Sequence, residues 1–346
     1  MLLRSVQAVI LNKLKDPVVG RTCDERDTSL ALNMTSLYKE ADMIIENLKQ
    51  PPFNTTLMGV LRGVIDYYGI RTCDPVMFGG SGHAFLMNIH KELCPSGPYC
   101  WDRTGFYKLV RNLGIEMVDE GFFHAGSSES ERAVIARLIV ENLDNGVPCS
   151  LMNMENQLIT GYDDTGLITA QPWPGMDFPP KHLAFGSWAE IIDDCHINFF
   201  TFHKVEPADM GKMGADCLKY AVDMYRHPEI HTSEAYGVGS KAYSNWITAV
   251  KNGHGSSHGN WWNATVWSEC RGMASQYFEG FAAGVPEFAS LLNDLAADYA
   301  FIADALGKVS DKELAIEPKI DLLEQAAARE SVCIEKIEEL LKAFGA

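Results

Sequence analysis

Residues 54–69, NTTLMGVLRGVIDYYG, carry the most regular pattern in this chain. Counted from Leu57, apolar residues recur at i, i+3, i+4, i+7, i+8 and i+11, which is the spacing of one helix face. Asn54 or Thr55 is a natural N-cap, and Gly69 is a natural helix stop. The sequence therefore predicts a helix here, and the rest of the fold can be worked out from it.

A second informative segment covers residues 79–101, GGSGHAFLMNIHKELCPSGPYCW. Its glycines precede His83, and two cysteines and two prolines flank the short loop that ends at Trp101. Core packing alone does not need so many turn-forming residues. We therefore expect this segment to form the wall of a ligand cleft, with His83 facing the cleft because its small neighbours leave room.

The remaining pattern divides the chain into three parts. Residues 1–50 are predicted to form an N-terminal helical extension. Residues 51–206 combine helices with later segments of period two, which predict a small antiparallel sheet with a tight turn at 163–166. Residues 207–346 show helical spacing, with helices predicted at 211–226, 234–251, 262–283, 287–307 and 311–343. The predicted fold class is α+β, a central helix packed on the sheet, followed by an all-α C-terminal domain.

Composition restricts the classes of function. Of the 346 residues, 47% are hydrophobic and 22% are charged, which is typical of a folded soluble protein. The net charge of −17 argues against nucleic acid and against an anionic membrane surface as partners, because both need clustered Lys and Arg. No segment approaches the roughly 18 apolar residues of a membrane helix. The apolar run in residues 1–11 is too short for a signal peptide and is soon followed by lysines.

The nine cysteines are odd in number, scattered, and not accompanied by a secretion signal. This usage is typical of free thiols in a reducing compartment, so we predict a cytoplasmic protein. Cys94 and Cys100 lack zinc-ligand and redox spacing, and the pair His254 and His258 lies in a Gly- and Ser-rich loop instead of on a helix face. We predict neither a cofactor nor a metal ion.

Several separate pieces of the chain occur in the order seen in a known family. These pieces are residues 57–69, 79–85, 94–98, 161–164, 239–246 and 326–341. On them the chain resembles the family named for the N-terminal domain of butirosin biosynthesis protein H, and also the papain-like leader peptidases of bacteriocin exporters. The resemblance spans most of the chain beyond residue 50 and implies a papain-like domain at 51–206. It also implies acyl transfer or amide hydrolysis, since the butirosin protein is an acyltransferase.

The residues at the two key positions depart from that family. A papain-like hydrolase carries a Cys at the start of the central helix and a His on a sheet strand, and an Asn or Asp orients the His. Here residues 54–56 read NTT and residues 155–157 read ENQ. Both members of the dyad are missing, so the chemistry is either rebuilt from other residues or absent.

The enzyme hypothesis rebuilds the site from four residues. His83 would act as the acid and base, Asp163 would orient it, and Cys73 or Thr55 would be the nucleophile. Backbone N–H groups at the helix start would form the oxyanion hole. Cys73 is the only thiol near the central helix, whereas Thr55 also fits a plain N-cap.

The alternative is a non-catalytic protein that binds a small molecule or a peptide in the same cleft. In that hypothesis Asn54, Trp101, Glu155 and Tyr162 bind the ligand beside His83. Glu155 suits either hypothesis, since a carboxylate can also serve as a general base. The apolar positions of the last predicted helix are compatible with a homodimer through the C-terminal helices.

Overall fold

The structure, a computed structural model, describes residues 42–124, 126–186, 188 and 196–345. Most of the predicted N-terminal extension therefore lies outside the described residues. Its described part corrects the helical prediction, because β1 (Met43–Ile44) is a strand that pairs with residues 161 and 162. Pairing with an existing sheet edge overrides the helical spacing of this short segment.

The described residues form an antiparallel sheet of seven strands. The other six are β3 (Ile115–His124), β4 (Cys149–Asn153), β5 (Glu155–Tyr162), β6 (Gly166–Thr169), β7 (His182–Ala184) and β8 (His196–Lys204). Their order is β3-β8-β4-β5-β6-β7, and β1 pairs with β5 beyond the end of β4. The predicted antiparallel sheet is therefore confirmed, and it includes the tight turn at 163–166.

The helix predicted within residues 54–69 is α1 (Thr56–Tyr67), and it packs on β5. Its apolar face is buried, as the spacing predicted. Gly63 allows the close approach, because a Cβ there would lie 2.6 Å from a methyl carbon of Leu158 and 2.2 Å from the carbonyl oxygen of Lys49. The helix ends at Tyr67, and the chain then turns away at Gly69, whose φ of +64° is in the left-handed region that favours glycine.

Along the chain, three further helices lie before the last strand of the sheet, β8, and five helices follow it. They are α2 (Asp74–Gly80), α3 (Thr104–Asn112), α4 (Glu129–Asp144), α5 (Met210–Arg226), α6 (Gly239–Ala249), α7 (His258–Gly284), α8 (Ala289–Val309) and α9 (Ile316–Ala343). The helical C-terminal region is confirmed with one correction. Strand β9 (Tyr236–Val238) lies within it and pairs with β2 (Asn88–His90), so this region is not all-α. Among the helices of the described ranges, not one has both the length and the apolarity needed to cross a membrane.

Most of the apolar stripe of α9 is covered within the chain. Leu323, Ala326, Ile334, Ile337 and Leu340 are buried, and α9 packs against α5, α6 and α8. The stripe that suggested a homodimer therefore does not supply a free interface.

A buried ion pair joins α7 to α9. Arg271 donates to Glu330 at 2.6 Å, and both side chains are almost completely buried. The other end of the guanidinium donates to the carbonyl oxygens of Ala84 and Leu86, at 2.9 and 2.8 Å. Arg271 thus fastens the helical region to the segment that carries His83.

Candidate functional site

The start of α1 is capped by a carboxylate from α7. Thr55, the N-cap residue, makes no capping bond with its own side chain. Instead the Glu269 carboxylate accepts hydrogen bonds from the backbone N–H groups of Asn54 and Thr55, at 3.0 and 2.8 Å. A carboxylate is favoured at a helix N-terminus because the first N–H groups lack helical partners and the dipole is positive there. Burial raises the pKa of Glu269, although these hydrogen bonds act in the opposite direction.

A second carboxylate, Glu155, lies beside the next residue of α1. Met154 forms the turn between β4 and β5, and Glu155 is the first residue of β5. Its carboxylate accepts hydrogen bonds from the hydroxyls of Thr56 at 2.8 Å and Tyr99 at 2.7 Å. Burial raises the pKa of Glu155 from 4.5 to about 7, and the two hydrogen bonds only partly oppose this effect. Glu155 therefore gains and loses a proton near neutral pH.

Aromatic side chains extend this cluster towards the surface. The indole N–H of Trp262 on α7 donates to the Tyr99 hydroxyl at 3.2 Å. The ring of Trp173 meets the ring of Trp262 edge to face, with centroids 5.7 Å apart. The Trp173 indole N–H also donates to the carbonyl oxygen of Phe53 at 3.2 Å. Tyr99 and Trp173 are half-buried, so this part of the cluster reaches solvent.

His83 lies behind the start of α1, next to a cysteine from α7. The Cys270 sulfur is 3.6 Å from Nδ1 of His83 and 3.5 Å from the Thr55 hydroxyl oxygen. The other ring nitrogen of His83, Nε2, is buried and finds no hydrogen-bond partner among the described residues. The rings of Trp101, Phe106 and Trp267 surround the imidazole, with centroids 5.8, 5.9 and 6.2 Å away.

Burial keeps this Cys–His pair neutral. His83 is 1% exposed, and desolvation lowers its pKa from 6.5 to about 3. Cys270 is 0% exposed, and desolvation raises the pKa of its thiol to about 12. A catalytic thiol works as a thiolate and must be accessible. The pair therefore has suitable spacing for a Cys–His dyad but neither the charge nor the access that such a dyad needs.

The structure places the predicted site residues in different surroundings. Asn54, Thr55 and Glu155 lie together at the start of α1. His83 reaches Thr55 only through Cys270, and its burial corrects the prediction that it faces a cleft. Cys73 is exposed at the N-cap of α2, and the thiol that bonds to His83 is Cys270 instead.

Asp163 does not orient His83. Its carboxylate accepts bonds from the backbone N–H groups of Thr165 and Gly166, at 2.7 and 2.9 Å, and lies 3.4 Å from His182. These contacts, those to Thr165 and Gly166 foremost, lower the pKa of Asp163 to about 2 against the opposing effect of burial. The residue is a turn aspartate whose side chain is satisfied locally.

Trp101 and Tyr162 also fall outside the cluster. Trp101 is 9% exposed, donates to the carbonyl oxygen of Pro98, and packs on His83. Tyr162 is at the opposite end of β5 from Glu155, roughly 23 Å away for seven residues of strand. Its hydroxyl donates to Asp144 at 2.7 Å. The predicted cleft lined by both of these residues and Glu155 is therefore not formed.

Several residues of the cluster were not predicted. They are Thr56, Tyr99, Trp173, Trp262, Glu269 and Cys270. Glu269 and Cys270 lie inside a long helical pattern more than 200 residues from Thr55, and no local motif marks them. Tyr99 could have been found, because it belongs to the Pro- and Cys-flanked loop that the sequence singled out.

Across the described ranges, no three His, Cys, Asp or Glu side chains are grouped so that they could hold a metal ion. No protein-family model and no curated protein matches this chain.

Proposed function

We propose that this protein binds a small organic molecule or a peptide at the start of α1, on a papain-like scaffold without thiol catalysis. The packing of α1 on an antiparallel sheet supports the scaffold assignment. The half-buried Asn54, Tyr99 and Trp173, with Glu155 behind them, supply hydrogen-bonding groups beside an aromatic face. Ligand sites commonly combine such groups in this way.

The burial and the raised pKa of Cys270 are the main observations in support of this proposal. It is the thiol that contacts His83, yet it is completely buried, and its pKa is raised to about 12. At pH 7 neither a thiolate nor an imidazolium forms in these surroundings. Cys73 is exposed but is not the thiol that bonds to His83. This combination favours binding over nucleophilic catalysis by a cysteine.

A second candidate function is acyl transfer or amide hydrolysis that depends on Glu155. Its pKa of about 7 suits a general base, and it already accepts the hydroxyl proton of Thr56. In this candidate function the Thr56 oxygen would attack the substrate carbonyl carbon while Glu155 takes the hydroxyl proton. Glu155 would then pass that proton to the departing amine or alcohol as its bond to the carbonyl carbon breaks, which leaves the acyl group as an ester on Thr56. Thr56 is only 2% exposed, however, and its oxygen also accepts the backbone N–H of Asn156 at 3.1 Å, which supports a structural role.

The cysteines of the described residues support a reducing location. Cysteines 73, 94, 100, 149, 217, 270 and 333 are all free thiols. We propose the cytoplasm on this basis.

Alkylation of the native protein tests the absence of thiol catalysis. The full chain is treated with iodoacetamide across pH ~5 to ~9, and each cysteine is followed by mass spectrometry. We expect Cys73 to react in the native state and Cys270 to react only after unfolding, because it is buried. Native labelling of Cys270 well below the pKa of ~8.5 of a free thiol would overturn the proposal and favour a Cys–His enzyme.

A ligand screen tests binding itself. Thermal shift of the full chain is measured with small organic compounds and short peptides, and hits are compared between Tyr99→Phe and Tyr67→Phe. Both substitutions remove one hydroxyl from a half-buried tyrosine, but Tyr67 bonds to Gly146 at the far end of α1. We expect hits to lose affinity in Tyr99→Phe only. Equal affinity in both variants would place binding elsewhere and contradict the proposal.

A further inference from the structure

The Arg103 guanidinium contacts Tyr99 of the proposed site and has no acidic partner among the described residues. Arg103 immediately precedes α3 and is half-buried. Its guanidinium carbon is 5.7 Å from the ring centroids of both Trp101 and Phe200. Two aromatic rings therefore hold the cation in place, and this arrangement restricts its rotation.

The hydrogen bonds of Arg103 go to acceptors that carry no charge. Its Nη2 atom donates to the sulfur of Met152 at 2.7 Å and to the carbonyl oxygen of Tyr99 at 3.3 Å. A thioether sulfur is a poor acceptor for a cation. Burial raises the pKa of the Tyr107 hydroxyl, and the charge of Arg103 together with a hydrogen bond from its guanidinium acts in the opposite direction.

No carboxylate of the described residues forms an ion pair with Arg103. Five other arginines do contact carboxylates: Arg62, Arg111, Arg226, Arg271 and Arg329. Asp119 is the acid on the far side of Tyr107, but its carboxylate accepts bonds from the Tyr107 hydroxyl, the Asn198 amide and the Gly121 N–H. Arg103 is therefore a half-buried guanidinium that no carboxylate of the described residues neutralises, in a chain of net charge −17.

We propose that Arg103 binds the carboxylate of the ligand, so that the ligand class is an organic acid. This inference rests on the proposed function. The planar fork of a guanidinium matches a carboxylate with two parallel hydrogen bonds. Tyr99 connects the two ends of the site, because its carbonyl contacts Arg103 and its hydroxyl contacts Glu155. Met152 is half-buried and Met154 is 54% exposed, and both thioethers can adapt to an apolar part of the ligand.

Matched acid and amide probes test this assignment. Hippurate and hippuramide share an aromatic acyl group and differ in the terminal carboxylate. Binding of each to the full chain is measured by calorimetry at pH 7.5 for the wild type, Arg103→Gln, Arg103→Lys and Arg111→Gln. Arg111 is the control, since it lies on the adjacent helix α3 and its substitution removes the same charge from an exposed side chain.

We expect the wild type and Arg111→Gln to bind hippurate at least tenfold more tightly than hippuramide. Arg103→Gln should lose this preference while its affinity for hippuramide stays unchanged, and Arg103→Lys should keep part of it because the charge remains. If the wild type binds hippurate and hippuramide with the same affinity, and Arg103→Gln does so too, the inference is overturned while the proposed binding function stands. Binding of neither probe also overturns the inference, whereas the proposed function is judged separately by alkylation and by the wider screen.

Discussion

Glu269 accepts the backbone N–H of Thr55 at 2.8 Å, across 214 residues of sequence. The central helix is thus capped by a side chain from another region, although its own N-cap threonine could have supplied an oxygen. The Thr55 hydroxyl lies instead against the sulfur of Cys270. The residue pair Glu269 and Cys270 therefore joins α7 to the start of the central helix through both the backbone and the side chain of Thr55.

Removing the Glu269 carboxylate should loosen this connection. We expect Glu269→Ala to lower the free energy of unfolding by about 1–2 kcal/mol, because two backbone N–H groups lose a charged acceptor. Urea denaturation measures the change. Glu279→Ala is the control, since Glu279 is an exposed residue of the same helix. Equal losses in the two variants would show that the cap does not stabilise the fold.

Glu155 should make the protein less stable as the pH rises. Its pKa is about 7 in the folded protein and near 4.5 in the unfolded chain, so the folded state holds the proton more tightly. The stabilisation by the protonated form is complete below pH 4.5 and is lost as the pH rises through 7, for a total of about 3 kcal/mol. We expect Glu155→Gln to remove this dependence when stability is measured by urea denaturation between pH 4.5 and 8. A slope unchanged from that of the wild type would contradict the buried position of Glu155.

Local sequence pattern was sufficient to predict the longer helices and strands but not the site. The spacing from Leu57 predicted α1 because a helix face repeats within a few residues, and the turn at 163–166 is equally local. The role assigned to Asp163 was wrong because its carboxylate is satisfied inside that turn. His83 was expected to face a cleft because its neighbours in sequence are small. Its burial depends on Trp267, far along the chain, and no local pattern reports that contact.

The sequence pattern also failed to predict the shortest strands. β9 has three residues and β1 has two, and each exists because it pairs with a distant strand. Two or three residues carry too little periodicity to distinguish a strand from the end of a helix. β2 lies before the predicted domain boundary near residue 207 and β9 lies after it, yet the two strands pair. That boundary therefore marks a change in sequence pattern, whereas the contacts of the folded chain cross it.

His83 should act on stability in the opposite direction to Glu155. Its pKa is about 3 when folded and 6.5 when unfolded, so the unfolded chain takes up the proton first. The stabilisation is complete above pH 6.5 and is lost as the pH falls towards 3, by about 1.4 kcal/mol per pH unit. Between pH 4.5 and 6.5 the contributions of His83 and Glu155 oppose each other.

Substituting either His83 or Glu155 should therefore expose the pH dependence of stability that the other residue causes. We expect His83→Gln to lose stability as the pH rises from 4.5 to 6.5, and Glu155→Gln to lose stability as the pH falls over the same range. The control is His227→Gln, which changes an exposed histidine. If His83→Gln and His227→Gln give the same pH profile, His83 is not buried in the neutral form.

The ion pair of Arg271 and Glu330 should be the most costly of these contacts to break. Both side chains are buried, and Glu330 also accepts the Tyr243 hydroxyl at 2.5 Å. Glu330→Gln leaves the guanidinium without its counter-charge, and we expect a loss of about 3–5 kcal/mol in the free energy of unfolding. Glu338→Gln is the matched control, because Glu338 lies on the same helix as Glu330 and pairs at the surface with Arg226 of α5. This substitution should cost no more than about 1 kcal/mol. Since Arg271 also holds the carbonyl groups of Ala84 and Leu86, Glu330→Gln should speed alkylation of Cys270 as well. A variant that is destabilised but keeps Cys270 unreactive would mean that the His83 segment is held by its aromatic neighbours and not by Arg271.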